Sequence, residues 1–419
     1  MNLLTTSIQT FEQALATVLE HARHVPTPRI EASLLLQSAG LVLAEPILAD
    51  RDQPPFDRAT RDGFALRAAE WTSGETLRVI GEVRAGEIWQ NGELPPGAAI
   101  EIMTGAPVPP GADGVAMVEH AVPEGDRVRA AEGRQLNSGE NIVRRGSEAR
   151  ASDTVVPAAT LITAAEIAEA AACGLSHLQV YRRPSVAIIA TGDELVELNE
   201  RPAPHQIRNS NGYALSALVH FAGGDPHLLP IARDTHEDLR SRIGTPAVLG
   251  ADLVLLSGGV SAGKYDFVEE VLAEHKAEFL FTGVRMQPGK PVVFGRMPAA
   301  RLGDSSVQFR YFFGLPGNPI STEVTFHCLV APMIRALSGA GVWLPRFVQA
   351  TLAEGVPAKP GLTRVLPAHL APDLHRPIVR VVHWHGSGDL AANARANCYA
   401  VLPDSHEPHA GEVITVLLR

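Results

Sequence analysis

The sequence predicts a multidomain α/β plus β protein: a doubly wound α/β domain joined to a helical stalk with an inserted β domain, and a C-terminal β barrel or sandwich. Three observations lead to this prediction. The 419 residues exceed the usual size of one or two domains. Apolar strands alternate with amphipathic helices in residues 184–340. Short β-rich runs broken by Gly and Pro fill residues 51–147 and 341–419.

The stalk is expected from residues 1–50 and 148–183, where apolar residues recur at helical spacing. Within the first of these segments, residues 7–45 are predicted to be helical. Thr10 and Gln13 have the spacing of a capping box at the start of that helix. Because the β-rich segment lies between the two halves of the stalk, it is predicted to be an insertion.

The α/β domain is expected to supply the ligand site. Its strands 185–190 and 252–257 are continuously apolar, as strands of a parallel sheet are, and each runs into a turn containing Gly. Ligands of open α/β sheets bind at the carboxyl ends of the strands. The segments at those ends read ATGDEL, LLSGGVSAGKYD, RMQPGKP and GLPGNPIS.

Composition excludes several classes of function. The net charge is −10, and no Lys/Arg run of the kind that follows a phosphate backbone occurs, so no nucleic-acid partner is expected. The three cysteines are scattered and form neither a disulfide framework nor a CxxC motif, which suits a reducing cytoplasm. No basic segment followed by an apolar core begins the chain, and no window approaches about 18 apolar residues, so neither a leader nor a membrane span is expected.

The loop SGGVSAGKYD follows strand 252–257 and leads into a predicted helix. Its small residues leave backbone N–H groups open, and a helix N-terminus carries partial positive charge, so a phosphate or carboxylate is a suitable ligand. The loop has neither the GKS/T ending of a Walker A motif nor the GxGxxG pattern, and a tight β–α turn remains the alternative. The candidate ligand-binding residues are Ser257, Gly258, Gly259, Ser261 and Gly263.

Asp266, at the end of this loop, allows two interpretations. It lies three residues before Glu269, a spacing that suits an N-cap with a capping box. Its carboxylate could instead hold Mg²⁺ against phosphate oxygens. Both remain open, and Asp266 is a candidate catalytic and metal-binding residue.

The PGKP turn holds Lys290 between two prolines. A lysine fixed there offers a compact positive charge to an oxyanion, although an exposed turn lysine would have the same sequence. Pro288 and Gly289 of this turn are candidate ligand-binding residues with it. Asn318 is a turn residue by default, and Ser321 begins the next helix, where it could cap the helix or bind an anion.

Carboxylates follow two other turns. Asp193 and Glu194 come after strand 185–190 and Gly192, and Asp234 precedes a predicted helix. Each could cap a helix, bind a metal or bind a ribose hydroxyl. If they converge at one edge of the sheet they suit a divalent cation, so Glu194 and Asp234 are candidate metal ligands.

Three further residues stand out outside the α/β domain. Asp62 precedes Gly63 and Thr104 precedes Gly105, both turn positions by default. Ser387 lies among small residues in HGSGDLAANARAN.

Taken together, these segments resemble the molybdopterin molybdotransferase family, which includes the E domain of gephyrin. Each piece is weak by itself, whereas eleven pieces in one order along nearly the whole chain are specific. The matching pieces are PPFDRATRDGFALRA, GEVRAGE, IEIMTGAPVPPGADGVAMVE, GENIVRRGSEA, ATGDEL, IRNSNGYAL, DLVLLSGGVSAGKYDFVEEVL, PGKPVVFG, FFGLPGNPIS, HGSGDLAANARANCYAVLP and AGEVITVLL.

The resemblance implies an elongated homodimer of four-domain subunits. The active site would lie between the α/β and C-terminal domains of one subunit and face the β insert of the other. The implied reaction inserts molybdenum from molybdate into adenylylated molybdopterin with release of AMP, and it depends on Mg²⁺. Molybdopterin adenylyltransferase and downstream molybdoenzymes are the implied protein partners.

The resemblance also implies roles for individual residues. Asp266 and Glu194 match acidic residues linked to Mg²⁺ and the pterin nucleotide, and Asp234 is a third candidate. The Ser257–Gly263 loop matches the segment that holds the nucleotide and the pterin phosphate. Asp62 and Thr104 match residues that bear on activity from across the dimer. The implied molybdate-binding set is Lys290, Ser321, Arg364 and Ser387.

The sequence departs from the family pattern at Arg61, Glu148 and Gln287, where the family usually has Met, Asp and Lys. These departures leave open a divergent paralogue. A molybdopterin adenylyltransferase is an alternative function, but that enzyme is typically a short single domain with a TGGTG-type loop. A non-enzymatic, gephyrin-like scaffold is the other alternative, and no sequence feature indicates its partner.

Overall fold

The structure is a computed structural model and describes residues 8–259, 267–299, 309–404 and 407–419. Its largest α/β element is a six-stranded sheet with helices on both faces. The first four strands in spatial order are parallel to one another, as the apolar runs predict. In spatial order the strands are Asp225–Leu228, Ser185–Ala190, Leu253–Ser257, Phe309–Leu315, Val293–Pro298 and Glu278–Phe281.

The last two strands of this sheet run antiparallel to their neighbours, so the sheet is mixed rather than wholly parallel. Two apolar cores cover the two faces of the sheet. The helices that pack around it are Ser210–Ala222, His236–Ile243, Pro246–Leu249, Phe267–Glu274, Pro319–Thr325 and Ala331–Leu337, with a π-helical segment at Phe326–Val330.

The C-terminal strands close into a barrel, as one of the two predicted arrangements requires. Five strands pair in sequence around it, and Thr363–Ala371 also pairs with Cys398–Leu402, which completes the circle. Its own apolar core lies inside. The five strands are Thr363–Ala371, Ile378–Val381, Phe347–Leu352, Val413–Leu418 and Cys398–Leu402, and the helix Leu390–Arg395 lies beside them.

Two strands from outside the C-terminal region extend this sheet. Gly283–Gln287 follows directly on the edge strand Glu278–Phe281 of the α/β sheet, but it pairs with the barrel strand Thr363–Ala371. Ile8–Thr10 pairs in parallel with the other edge of Gly283–Gln287. The chain segment 283–287 therefore belongs to both units and fixes the barrel beside the α/β sheet.

The β insert is a second six-stranded sheet with an apolar cluster on each face. It is a mainly antiparallel sheet in which Leu77–Val83 and Ala98–Ile102 are parallel. The short helix Ala68–Thr72 and the 3₁₀ turn Val118–His120 accompany it. Its strands in spatial order are Ala121–Glu124, Arg127–Ala130, Leu77–Val83, Ala98–Ile102, Gly63–Leu66 and Gly114–Met117.

The prediction that residues 7–45 are helical is wrong for most of that segment. The capping box at Thr10 is present and starts a helix, but this helix spans only Phe11–Ala22. Its apolar face packs into the core of the α/β sheet rather than into a stalk. Beyond it, Ile30–Leu34 is a strand that pairs with His177–Tyr181, followed by a 3₁₀ turn at Leu35–Ser38.

The remaining stalk elements are short strands around one α-helix, Ala164–Ala172, which Thr163 caps. They enclose a small apolar core of their own. The domain limits given by the sequence stay predictions. The short strand pairs of this region are Val42–Leu43 with His177–Tyr181 and Ile47–Leu48 with Thr154–Val156. Outside it, Arg58–Ala59 pairs with Ile142–Val143 in the predicted insert, and Leu195–Val196 pairs with Ile207–Arg208 in the α/β region.

Across the part of the chain that the structure describes, no helix combines the length and the apolar character that a membrane span needs.

Candidate active site

A cleft of about 1100 Å³ lies at the carboxyl edge of the parallel strands, beneath the barrel. It opens where the connections of Ser185–Ala190 and Leu253–Ser257 leave in opposite directions, the position at which open α/β sheets bind ligands. Many residues predicted from separate turns share this one space. The predicted site residues that line it are Glu194, Asp234, Ser257, Gly258, Gly259, Pro288, Gly289, Lys290, Asn318, Ser321 and Ser387.

The floor of the cleft is the turn that follows Leu253–Ser257. Ser257 is buried, and Gly258 has a φ of +96°, a left-handed conformation that favours glycine. A Cβ atom at Gly258 would lie 2.4 Å from the carbonyl oxygen of Thr191, so only glycine fits against this neighbouring turn. Ser261, Gly263 and Asp266, predicted in the same loop, lie outside the described residues.

Asn211 joins three segments of the floor and was not among the residues predicted from the sequence. Its Nδ2 atom donates to the Ser257 hydroxyl at 2.9 Å and to the Gly317 carbonyl oxygen at 2.8 Å, with the Thr322 hydroxyl at 3.3 Å. These partners are distant in sequence, so no local pattern predicts them. The only signal was the motif IRNSNGYAL, in which Asn211 is one of two asparagines near a helix start.

Lys290 stands on the opposite wall, in the turn after the shared strand Gly283–Gln287. Gly289 has a φ of +111°, and a Cβ there would lie 2.6 Å from the Thr325 side chain, so the turn packs closely on the helix behind it. The Lys290 carbonyl oxygen accepts a hydrogen bond from the Val284 N–H at 3.0 Å, which closes the turn. The Lys290 side chain is exposed in the cleft wall.

Arg364 lies behind this wall rather than in the lining. It pairs in register with Gln287, which does line the cleft, and it is only 9% exposed. Its Nη2 atom is buried without a hydrogen-bond partner among the described residues, and burial lowers the pKa of the guanidinium. A buried guanidinium nitrogen without a partner is costly, so the site suits an anion that completes its hydrogen bonds.

Two carboxylates lie at the far end of the cleft. The Glu194 carboxylate folds back over Gly192, whose added Cβ would meet it at 2.5 Å. Asp234 accepts a hydrogen bond from the Thr191 hydroxyl at 2.5 Å. Asp193 is exposed and outside the lining. Among the described residues, no three His, Cys, Asp or Glu side chains gather as a metal site.

Ser321 and Ser387 both line the cleft at the seam between the α/β sheet and the barrel. Ser321 is buried in the helix Pro319–Thr325. Ser387 is held against the start of that helix because its hydroxyl accepts from Asn318 Nδ2 at 2.9 Å and its carbonyl oxygen accepts from the Ile320 N–H at 3.0 Å. The cleft is thus formed jointly by both units.

Asp62 and Thr104 are close to each other but not among the residues that line this cleft. The Asp62 carboxylate accepts from the Thr104 N–H at 2.6 Å, and hydrogen bonds from Thr104 hold the pKa of Asp62 below its usual value. Both belong to the β insert. Glu148, one of the departures from the family pattern, pairs with Arg58 at 3.3 Å on the surface.

Besides Asn211, sequence reasoning missed lining residues with charged or aromatic side chains. Arg208 and Lys359 add positive charge to the cleft, and Trp384 contributes an aromatic side chain. With Lys290, the lining residues that the structure describes include three cations against the carboxylates of Glu194 and Asp234. Arg208 lies in the motif IRNSNGYAL, and Lys359 precedes the turn residues Pro360 and Gly361, but neither local pattern points to an anion site.

These features define the chain as a multidomain α/β protein whose small-molecule cleft lies between a mixed sheet and a β barrel and has the charge of an anion site. Three family models match it in order along the chain. They are described as "MoeA N-terminal region (domain I and II)" at residues 9–174, "Probable molybdopterin binding domain" at 187–336 and "MoeA C-terminal region (domain IV)" at 349–418.

Full-length relatives agree with these models. A protein from Nostoc sp. named "Molybdopterin molybdenumtransferase" is 36% identical over 87% of this chain and 83% of its own length. A protein of the same name from Staphylococcus aureus is 33% identical over 92% of this chain and 90% of its own length. The chain belongs to the molybdopterin molybdenumtransferase family, which confirms the resemblance.

Solved structures support the fold. A molybdopterin biosynthesis moeA protein from Pyrococcus horikoshii OT3 has a TM-score of 0.80 at 27% identity, with 99% of this chain and 100% of that chain covered. A second structure described as the moea protein of Pyrococcus horikosii has a TM-score of 0.73 at 30% identity, with 98% and 99% covered.

Proposed function

We propose that this protein transfers molybdenum from molybdate to adenylylated molybdopterin and releases AMP. The observation that carries the proposal is the single cleft shared by the glycine turn at Ser257, the cation at Lys290 and the seam serines. Membership of a family whose relatives are named molybdopterin molybdenumtransferase gives the chemistry.

The substrate's phosphates are proposed to lie on the turn at Gly258 and Gly259, whose backbone can approach an anion closely because neither residue has a side chain. Molybdate is proposed to bind at the seam, between Lys290 and the hydroxyls of Ser321 and Ser387. Arg364 would supply the buried guanidinium nitrogen that lacks a partner. Positioning and charge neutralisation, rather than a protein nucleophile, carry the reaction in this proposal.

Mg²⁺ dependence is part of the proposal. Mg²⁺ sites at phosphates commonly use one or two carboxylates together with substrate oxygens, so Glu194 and Asp234 fit the requirement without a third protein ligand. Asp266, from the sequence pattern, is a further candidate. The ion would neutralise phosphate charge as the phosphoanhydride is cleaved.

A homodimer is also proposed, in which Asp62 and Thr104 of one subunit act at the cleft of the other. The protein is proposed to work in the cytoplasm, to receive its substrate from a molybdopterin adenylyltransferase and to supply molybdoenzymes.

The test supplies adenylylated molybdopterin, molybdate and Mg²⁺, and measures AMP release together with reconstitution of a cofactor-free molybdoenzyme. Molybdate-dependent turnover that EDTA abolishes supports the proposal. Asp266→Ala should reduce both readouts, whereas Glu270→Ala, an exposed carboxylate on the following helix, should not. Adenylate formation from ATP and metal-free molybdopterin would instead identify an adenylyltransferase. A stoichiometric protein partner without turnover would identify a scaffold.

A further inference from the structure

At the seam where molybdate is proposed to bind, the two walls of the cleft come from different structural units. Ser321 lies on the helix Pro319–Thr325 of the α/β unit, and Ser387 lies on the loop that precedes the barrel helix Leu390–Arg395. In the described part of the chain, the two hydrogen bonds to Ser387 already given are the ones that join these walls at the cleft surface. The distance between the serines therefore depends on what holds the two helices together behind the surface.

Glu323 lies between the two helices, behind the cleft surface. It is two residues beyond Ser321 and only 9% exposed. Its Oε2 atom accepts a hydrogen bond from Asn393 Nδ2 at 2.5 Å, and its Oε1 atom lies 2.5 Å from Arg419 Nη2. Since Asn393 belongs to the helix Leu390–Arg395, one carboxylate connects the two helices directly.

The partners of Glu323 are themselves fixed. Arg419 Nη1 donates to the carbonyl oxygens of Asn393 at 2.8 Å and Ala396 at 2.7 Å. The Tyr399 hydroxyl, fully buried, donates to Asn393 Oδ1 at 3.0 Å, so both ends of the Asn393 amide are used. This network, Glu323–Asn393–Tyr399–Arg419, leaves the helix little freedom to move away from Glu323.

The helix transmits this constraint to the Ser387 loop through its first turn. Asp389 caps the helix, with Oδ1 accepting from the Ala392 N–H at 2.9 Å and Oδ2 accepting from the His385 N–H at 3.1 Å. Residues 385–389 are thus tied to the helix that Glu323 holds. A shift of the helix would move Ser387 with it.

The electrostatics show that Glu323 is held as an anion. Burial acts to raise the pKa of Glu323, but the nearby His327 ring and the Arg419 guanidinium act in the opposite direction and prevail, so its pKa is lowered. A buried ion pair is weak support for stability, because apolar residues of similar volume often serve as well. Its directional hydrogen bonds nevertheless fix a geometry that apolar packing does not.

We propose that Glu323 is a positioning residue, which sets the spacing of Ser321 and Ser387 from behind the cleft and so determines the fit of the tetrahedral oxyanion. Glu323 does not line the cleft. This inference rests on the proposed function, since it assigns molybdate to the seam between the two serines.

The test is Glu323→Gln, which keeps the side-chain volume but directs an amide donor at Asn393 or Arg419. The expected result is a rise of at least about tenfold in the molybdate concentration for half-maximal rate, because misplacement by an ångström is enough for such losses. The half-saturating concentration of adenylylated molybdopterin should change less than about twofold, since the turn proposed to bind its phosphates, at Gly258 and Gly259, lies on another segment.

Glu278→Gln is the matched control. Glu278 also pairs with an arginine, Arg296 Nε at 2.7 Å, but on the edge strand of the α/β sheet and outside the cleft lining. The molybdate concentration for half-maximal rate of Glu278→Gln should equal that of the wild type. The double variant Glu323→Gln/Asn393→Asp restores a carboxylate–amide pair with the donor reversed, and it should recover most of the molybdate affinity.

Hydrogen exchange gives a readout that does not require turnover. In Glu323→Gln without substrates, amides of residues 385–395 should exchange faster than in the wild type, while those of 185–190 should not change. An unchanged molybdate dependence, or equal losses for both substrates, would overturn the proposal. If the wild type itself transfers no molybdenum, the proposed function fails. The role of Glu323 is then still decided by hydrogen exchange and by the molybdate affinity of Glu323→Gln compared with the wild type.

Discussion

Replacing Asn211 with alanine removes a side chain that connects the helix Ser210–Ala222 to both the glycine turn and the segment after Phe309–Leu315. Two of its contacts, to the Ser257 hydroxyl and the Gly317 carbonyl oxygen, have good hydrogen-bond lengths of 2.9 and 2.8 Å. The contact to Thr322 at 3.3 Å is weaker.

The magnitude follows from these two bonds. A neutral hydrogen bond contributes about 0.5–1.5 kcal/mol net, so losing two costs about 1–3 kcal/mol. Gly317 is exposed and its oxygen can bind water instead, so the loss of its bond lies at the low end of the range. Ser257 is buried, so the loss of its bond lies at the high end, and the expected total is about 2 kcal/mol. The melting temperature should fall by roughly 2–6 °C. Activity should suffer more, because the turn that binds the phosphates loses its lateral support.

The assay compares kcat/KM for AMP release with thermal unfolding by calorimetry, with Asn397→Ala as the control. Asn397 also makes two hydrogen bonds, both to the backbone of Leu370 at 2.7 and 3.0 Å, but away from the cleft lining. Asn211→Ala should lose about 10- to 100-fold in kcat/KM and the control less than about twofold. Equal activity in the two variants would refute the assigned role of Asn211.

Three other perturbations test the cleft and its support. Gly258→Ala should cost about 1–2 kcal/mol for the left-handed backbone alone and should displace the turn from the Thr191 oxygen, so both the melting temperature and kcat/KM fall; an unchanged kcat/KM would contradict the close packing. Lys290→Ala should raise the molybdate concentration for half-maximal rate by about 10- to 100-fold, the value of one charged hydrogen bond, while Lys276→Ala, outside the cleft, should not. The pH dependence of unfolding tests Glu323: its lowered folded-state pKa means that its stabilisation is present above the unfolded value of about 4.3 and is lost as the pH falls through the folded pKa. Calorimetry from pH 7 to 3 should therefore show the advantage of the wild type over Glu323→Gln shrinking on acidification, and an advantage independent of pH would contradict an ionised Glu323.

Local patterns in the sequence were sufficient for most individual elements. The apolar run 185–190 is a buried strand, and Thr10 and Gln13 form the capping box that their spacing predicts. The turn at Ser257 lines the cleft because it follows a parallel strand at the ligand-binding edge of the sheet. The turn at Lys290 also lines the cleft, but it follows Gly283–Gln287, which pairs with the barrel. Such features depend on residues close in sequence, and on a rule that holds for every sheet of this kind.

The tertiary structure alone decided which elements pair and which side chains meet. Ile30–Leu34 is a strand because His177–Tyr181 lies beside it, and Gly283–Gln287 pairs with the barrel at Thr363 and Arg364 rather than with the α/β sheet. Asn211 and Glu323 owe their roles to partners from distant segments. The packing of the whole chain determines which distant segments pair and which side chains become buried between them. The local spacing of residues does not predict these contacts.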